Sequence, residues 1–361
     1  MVATPETLSP AAPEPIDPSD SDPSLGSPAV RTLPTTMRAI AQHRYGDAHV
    51  LEACVLEIPR PGDDQVLIAV AAAGIDRGVW HLMTGLPYIV RPVVGLTRPR
   101  QPIPGLDVSG RVVAVGSSVT AFRIGDEVFG VGTGTLAEYA VADAAKLARR
   151  PPGVTPEQAA AVPISGLTAL QALRDAGRLQ AGRHVLVLGA SGGVGSFAVQ
   201  IARHLGARVT GVASTAKLEL VRSLGAERVI DHTREDALGD GTRYDLIVDI
   251  GGRRPLGALR RALTERGTLV IVGGEGGDRL TGGIGRQFGA MLLSPFVGQR
   301  LKAFLSTESG TDVERLGALL AAGDILAPIG QICELDDAPA TIADLAAGRV
   351  RGKAVVRVGG H

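Results

Sequence analysis

Two rhythms of apolar and polar positions divide the chain. From Met37 to about Val162 the apolar runs are short, as at 66–73, 111–115, 126–131 and 136–141, and are cut by Gly74, Gly110, Gly116, Gly125 and Gly132. Short strands with frequent turn residues predict a compact β-rich domain. From about Pro163 the rhythm changes to strand, helix, strand. His184–Leu188 reads as a strand, after which Val194, Ala198, Ile201, Ala202 and Leu205 recur at helical spacing until Gly206. Arg208–Ala213 is the next strand, followed by a helix that stops at Gly225, and further strands read at 228–230, 246–250 and 269–272. Continuously apolar strands alternating with helices predict a parallel sheet covered on both faces. Beyond about Arg300 the pattern gives two helices, ending near Gly323 and Gly348, and a last strand at 354–358.

Residues 1–36 follow neither rhythm. They are rich in proline, serine, threonine and acids, with Arg31 the only basic residue. A signal peptide needs a basic start and an apolar stretch, and this segment has neither. It cannot bury enough surface to offset its ordering entropy and is read as a disordered tail.

The most informative stretch runs Gly189-Ala190-Ser191-Gly192-Gly193-Val194-Gly195, directly after one strand and at the opening of a helix. Gly192 and Gly193 let the backbone approach a pyrophosphate, Gly195 lets the helix pack tightly on the sheet, and the helix N-terminus offers N–H groups to the anion, with Ser191 and Val194 in the same turn. Strand, loop, amphipathic helix and second strand occur in the order a dinucleotide site requires. The end of the second strand selects the dinucleotide. A site for NAD places Asp or Glu there to hold the ribose 2′-hydroxyl. Here Ala213-Ser214-Thr215-Ala216-Lys217 supplies hydroxyls and a cation, and no acid lies between Arg208 and Leu218. That pattern suits a 2′-phosphate, so the cofactor expected is NADPH. Lys217 is one of only four lysines, and is read either as a phosphate ligand or as a solvated residue at a helix start. Gly251 and Gly273, after later strands, fall on the sheet edge expected to face the cofactor.

Composition narrows the setting. With 361 residues the chain is longer than one core usually serves, and 45% apolar residues fit a folded protein. Lys plus Arg and Asp plus Glu are equal at 37, which argues against nucleic acid or an anionic membrane as partner. Cys54 and Cys333 alone exclude a disulfide framework and a cysteine-rich zinc lobe. No apolar run approaches the ~18 residues of a membrane span, so the cytoplasm is the expected compartment.

Several motifs together resemble one family. They are Tyr45-Gly46 with Val50-Leu51-Glu52, Pro104-Gly105-Leu106-Asp107-Val108-Ser109-Gly110, Gly125-Asp126-Glu127-Val128, Leu167-Thr168-Ala169, the Gly-rich loop and a closing Gly352-Lys353. Across residues 37–361 the chain resembles the medium-chain dehydrogenase/reductases, and among them the zinc-free quinone oxidoreductases. The resemblance implies an α/β architecture. A GroES-like β-rich catalytic domain, 37–162 completed by 300–361, is interrupted by a doubly wound Rossmann domain over 163–299. It also adds Thr168 to the cofactor-binding candidates. Zinc-using members carry a cysteine where this chain has Asp76 and a His-Glu pair where it has Leu106-Asp107. Without those ligands no metal is expected. An alcohol oxidation then lacks its Lewis acid, whereas a quinone or α,β-unsaturated carbonyl is already electron-poor.

The resemblance thus implies hydride transfer from NADPH to a small quinone or enone. An enoyl or 2-alkenal reductase and a low-turnover NADPH-binding redox sensor remain as alternatives. Zinc-free relatives usually read Asn-Pro-x-Asp where this chain reads Asp76-Arg77-Gly78-Val79. An ionised Asp76 can only accept hydrogen bonds and would oppose a developing oxyanion unless protonated. It is read either as a catalytic residue or as a structural loop carboxylate. Arg77 and Trp80, with Tyr88, are the neighbouring candidates for the acceptor wall. His232, where relatives often have Tyr, either flanks the adenosine phosphate or is a surface residue. Family members are commonly homodimers, and residues 288–304 are apolar enough for a shared surface.

Overall fold

The computed structural model describes residues 33–273 and 278–359. The expected tail therefore lies outside the described residues as far as residue 32, and strand structure has begun by Thr36. The β-rich part opens with β1 (Thr36–Ala41) and β2 (Glu52–Glu57), paired antiparallel. There follow β3 (Gln65–Ile75), α1 (Arg77–Thr84), α2 (Arg91–Val94), β4 (Asp107–Val115), β5 (Glu127–Val131), β6 (Tyr139–Asp143) and β7 (Leu147–Arg149). Helices α3 (Pro156–Ala160) and α4 (Pro163–Gln171) lead to the second part, and a Thr155–Gln158 capping box starts α3.

The second part contains β8 (His184–Leu188), α5 (Gly193–His204), β9 (Arg208–Ala213), α6 (Leu218–Ser223), β10 (Arg228–Asp231) and β11 (Tyr244–Asp249). It continues through α7 (Leu256–Arg261), β12 (Leu263–Ile271), α8 (Ile284–Leu293) and β13 (Arg300–Ala303). The chain then returns through α9 (Gly310–Ala321), β14 (Ile329–Glu334), α10 (Ala338–Ala346) and β15 (Lys353–Arg357).

Beside the β1–β2 pair, two larger sheets organise these elements. The parallel sheet has the order β10-β9-β8-β11-β12-β13. The strand order therefore reverses beside β8, which leaves a crevice at the carboxyl ends of β8 and β11 where a dinucleotide-binding sheet holds its ligand. The other sheet runs β14-β15-β3-β4-β5-β7, with β6 also on β3. Its β15 lies antiparallel to β3, Ala354 opposite Ile75. The closing strand thus completes the β-rich part, and brings Lys353 beside the end of β3. Ile40, Ile68, Ile75 and Met83 centre a core in the β-rich part, Leu186, Tyr244 and Leu269 centre one on the parallel sheet, and a further cluster joins Phe197 of α5 to Phe129 of β5.

The parallel sheet extends beyond the expected boundary at 299, because β13 pairs with β12. Its sequence, Arg300-Leu301-Lys302-Ala303, hides the strand by carrying two charges in four residues, as an edge strand does. β2 and β14 are masked by the same exposure. Within 288–304, Phe288, Met291, Leu292 and Phe296 are exposed. No helix among the described residues is long and apolar enough to cross a membrane.

Candidate functional site

At the crevice, β8 ends at Leu188 and the loop 189–192 turns into α5. Gly192 is the N-cap of α5, and no side chain caps this end. The first N–H groups of the helix are therefore offered to the crevice, a setting that favours an anion. The glycines divide their work. A Cβ on Gly195 would sit 2.1 Å from the Gly189 carbonyl oxygen, so only glycine lets the helix close on the loop. A Cβ on Gly192 would meet nothing nearer than 3.6 Å, so this glycine keeps the open side of the loop bare for a ligand.

The loop forms one wall of a cavity of about 460 Å³. Ser191, Gly192, Gly193 and Val194 line it, with Ser214 and Lys217 after β9, His232 after β10 and Gly251 after β11. Asp76 and Arg77 line it from the β-rich part. Six other expected residues are elsewhere, among them Tyr88, whose ring lies 4.5 Å from the Arg91 guanidinium. Gly195 is packed beneath the loop. Thr168 donates to the Ile164 carbonyl at 2.7 Å and meets Ser306 at 3.0 Å. Thr215 is exposed and gives its hydroxyl to the Asp231 carboxylate. Gly273 donates its N–H to the Asp249 carbonyl at 3.2 Å, outside the lining. Trp80 packs against the core of the β-rich part, edge-on to His81 at 5.0 Å, with the Arg77 guanidinium 5.4 Å from its ring.

The end of the cavity near β9 is cationic. Lys217 donates to the carbonyls of Gly348 and Val350 at 2.8 and 2.7 Å, so it is anchored to the segment before β15. Burial pushes its ammonium below the usual lysine value, and the charges of Arg351 and Arg77 push it further the same way. Arg253 and Arg254 add to the lining. The Asp231 carboxylate at the end of β10 is engaged by Thr215 and Thr233. Hydroxyls from Thr215 and Thr233 hold it down to about 2.

The opposite wall contains groups that motif reading did not assign. Lys353 is 1% exposed, and its Nζ donates to Asp107 Oδ2 at 2.7 Å and to Ser165 Oγ at 3.3 Å. The same nitrogen lies 4.0 Å from Asp76 Oδ2. Asp107 Oδ1 accepts the Ile164 N–H at 2.7 Å. Asp76 is the N-cap of α1, with Oδ1 accepting the Val79 N–H at 3.1 Å, while its Oδ2 is buried and has no hydrogen-bond partner among the described residues. Burial pushes the Asp107 carboxyl up to about 6, against the pull of Lys353 and with the repulsion of Asp76. A charge placed inside an apolar run marks both residues in the sequence, Asp107 between Leu106 and Val108 and Lys353 before Ala354-Val355-Val356.

The closing segment also touches the dinucleotide loop directly. Gly352 forms a bridge with Gly192 and donates its N–H to the Ser191 carbonyl at 3.0 Å. A Cβ on Gly193 would meet Ser165 Oγ at 2.9 Å and Lys353 Cδ at 3.1 Å. The loop, α4 and β15 are thus packed as one unit. No group of three or more His, Cys, Asp or Glu placed to hold a metal ion occurs among the described residues.

Comparison with known proteins gives two family profiles. An alcohol dehydrogenase GroES-like domain matches residues 62–152, and a zinc-binding dehydrogenase domain matches 193–302. A chloroplastic quinone-oxidoreductase of Triphysaria versicolor is 32% identical over 334 residues, 89% of this chain and 98% of the relative. An NADPH-dependent alkenal/one oxidoreductase of Arabidopsis thaliana, also chloroplastic, is 36% identical over 234 residues, 61% of this chain and 59% of the relative. Among solved structures, the quinone oxidoreductase of Coxiella burnetii superposes with a TM-score of 0.78 at 28% identity, covering 90% of this chain and all (100%) of the other.

Proposed function

We propose, from the premise that the chain belongs to the quinone oxidoreductase-like branch of the medium-chain dehydrogenase/reductase superfamily, that it reduces a quinone or enone with NADPH and without zinc. The observation that carries this reading is the cavity itself, with an uncapped helix and bare glycine loop on one wall and buried acids and a lysine on the other. Bound there, the reduced nicotinamide supplies the hydride. The protein's part is to hold the pyrophosphate at the N-terminus of α5, to exclude water, and to manage charge on the acceptor oxygen.

The cationic end supports NADPH over NADH. Lys217 carries a charge already disfavoured by burial and by two neighbouring cations, and a 2′-phosphate would relieve it. Ser214 adds a hydroxyl, and Asp231 is occupied by threonines and cannot serve the ribose. The opposite wall supports chemistry without zinc. Of the positions where zinc-using relatives carry ligands, Leu106 has no donor and Asp107 is already neutralised by Lys353 at 2.7 Å.

Titration by nicotinamide fluorescence tests the cofactor, and NADPH is expected to bind roughly ten- to a thousand-fold more tightly than NADH. The double variant Ser214→Asp/Lys217→Ala should lose that preference. Equal affinities in the unaltered protein would overturn the assignment. Steady-state NADPH oxidation against a panel of quinones and enals, repeated in strong chelator, tests the rest. Turnover of enals alone would favour the alkenal reductase reading that the Arabidopsis relative's name suggests. Binding without turnover of any acceptor would favour a sensor.

A further inference from the structure

The end of the parallel sheet opposite the cofactor crevice carries charge that the proposed reduction does not use. There, where β8, β11, β12 and β13 begin, two adjoining cavities of about 340 and 330 Å³ share Arg178 and Arg300. Lys302 and Phe304 add to the first, and Arg183 and Arg266 to the second. Five cations thus line the pair of cavities against two carboxylates, and both carboxylates are already engaged. Asp175 is held by Arg174 at 2.6 Å, and Asp245 by Arg183 at 3.2 Å and by the His184 N–H at 3.0 Å. Arg174 also pairs with Asp312, and those two opposite charges outside the lining leave the positive excess unchanged. By contrast, the side chains of Arg178, Arg266 and Lys302 have no hydrogen-bond or ion-pair partner among the described residues. Arg300 gives Nε and Nη2 to the Thr268 hydroxyl, at 3.2 and 3.0 Å, which leaves Nη1 for a ligand.

Arg178 is also held in a backbone state that does not suit it. The chain leaves the helical turn Ala172–Ala176, the Leu179 N–H returns to the Leu173 carbonyl at 3.0 Å, and Arg178 takes a φ of 49°. A helix end of this shape usually puts glycine at the left-handed position. Among the described residues Arg178 is the only one other than glycine with a positive φ. Backbone strain of this kind gathers at binding sites, where a ligand gives the side chain its use. No contact within the described chain gives Arg178 one.

We propose that this end of the sheet binds a diphosphate group, one phosphoryl group in each cavity, with the guanidinium groups of Arg178 and Arg300 between them. Planar guanidinium groups match phosphate oxygens two at a time, and adjoining cavities with shared arginines suit two linked phosphates better than one. Phe304, half-buried in the first cavity, offers a ring to a nucleotide base, so free pyrophosphate and a nucleoside diphosphate bring the same chemistry. The site lies at the other end of the strands from the crevice and does not depend on what the crevice reduces.

The test is calorimetric titration at low ionic strength with inorganic phosphate, pyrophosphate and ADP, with NADPH present to fill the crevice. Pyrophosphate should bind at least about tenfold more tightly than phosphate, and added salt should weaken both. ADP binding more tightly than pyrophosphate identifies a nucleotide as the source of the diphosphate, and the reverse order identifies free pyrophosphate. Arg178→Gly removes the ligand-binding group and the strain together. Its melting temperature should equal or exceed that of the unaltered protein, while its pyrophosphate affinity falls at least about tenfold. An arginine of purely structural use would do the reverse, lowering the melting temperature and leaving binding alone. Arg266→Gln, in the second cavity only, should remove the advantage of pyrophosphate over phosphate. No binding of pyrophosphate at millimolar concentration, phosphate binding as tightly as pyrophosphate, or unchanged binding in Arg178→Gly would overturn the proposal. The Arg178→Gly titration locates the site even if the crevice takes no NADPH.

Discussion

The two walls of the cavity are built in different ways. The dinucleotide wall is local and made mostly of backbone, since residues 188–195 supply a strand end, a loop and a helix start in one continuous stretch. The acid–lysine wall is assembled from side chains on β3, β4, α4 and β15, and Lys353 is 246 positions from the aspartate it pairs with. A backbone wall tolerates many side chains but few added atoms at its glycines. A side-chain wall tolerates changes of shape but not of charge. Substitutions should therefore fail for opposite reasons on the two sides.

The largest effect is expected at Lys353. Lys353→Met leaves the buried Asp107 carboxyl without its cation, and should destabilise the fold by about 3–5 kcal/mol. The double variant Lys353→Met/Asp107→Asn should recover most of that loss, as read by urea denaturation. If the double variant is no better than the single, shape rather than charge governs this wall. On the other wall the prediction is reversed. Gly195→Ala places a Cβ 2.1 Å from the Gly189 carbonyl, which should cost about 1–3 kcal/mol of stability and weaken dinucleotide binding. Gly192→Ala, with nothing nearer than 3.6 Å, should leave thermal stability nearly unchanged and weaken binding alone. Equal destabilisation by both would show that the loop does not divide its glycines between packing and ligand.

The smallest effect concerns Asp231 beside the cationic end. Its carboxyl is held at about 2, below the ordinary 3.8, by Thr215 and then Thr233. A depressed carboxylate contributes stability above its unfolded pKa and loses it as pH falls through the folded one. The melting temperature should therefore decline between about pH 4 and 2, and Asp231→Asn should flatten that part of the curve. An unchanged slope would mean the threonines do not hold this carboxylate.

The same contrast explains what could be read from the sequence. Strands β8 and β9 match expectation to the residue, and the Gly-rich loop opens α5 where its spacing placed it. Local motifs carry their own geometry, and Ser191 to Val194 line the cavity. Thr215 and Thr168 have the right chemistry in the right region, but each is turned to a nearer partner, which spacing alone does not reveal. Trp80 is half-buried and packs against the core of the β-rich part. Lys353 was visible as part of a closing motif, yet its role depends on β15 pairing with β3, a contact between distant segments that no local pattern encodes. The edge strands β13 and β14 lack the continuous apolar run that marks β8.

The bridge between Gly192 and Gly352 has a consequence for how the protein is made. Synthesis is vectorial, and a nascent chain folds from its N-terminal side as it emerges. The dinucleotide loop leaves the ribosome long before the strand that clasps it, together with every residue of β11, β12 and β13 in between. Until Gly352 arrives, Ser191 lacks the N–H it accepts and Gly193 lacks the lysine stem that packs over it. The loop therefore takes its packed form only after Gly352 has been made, and the half-made domain that displays the motif lacks this clasp.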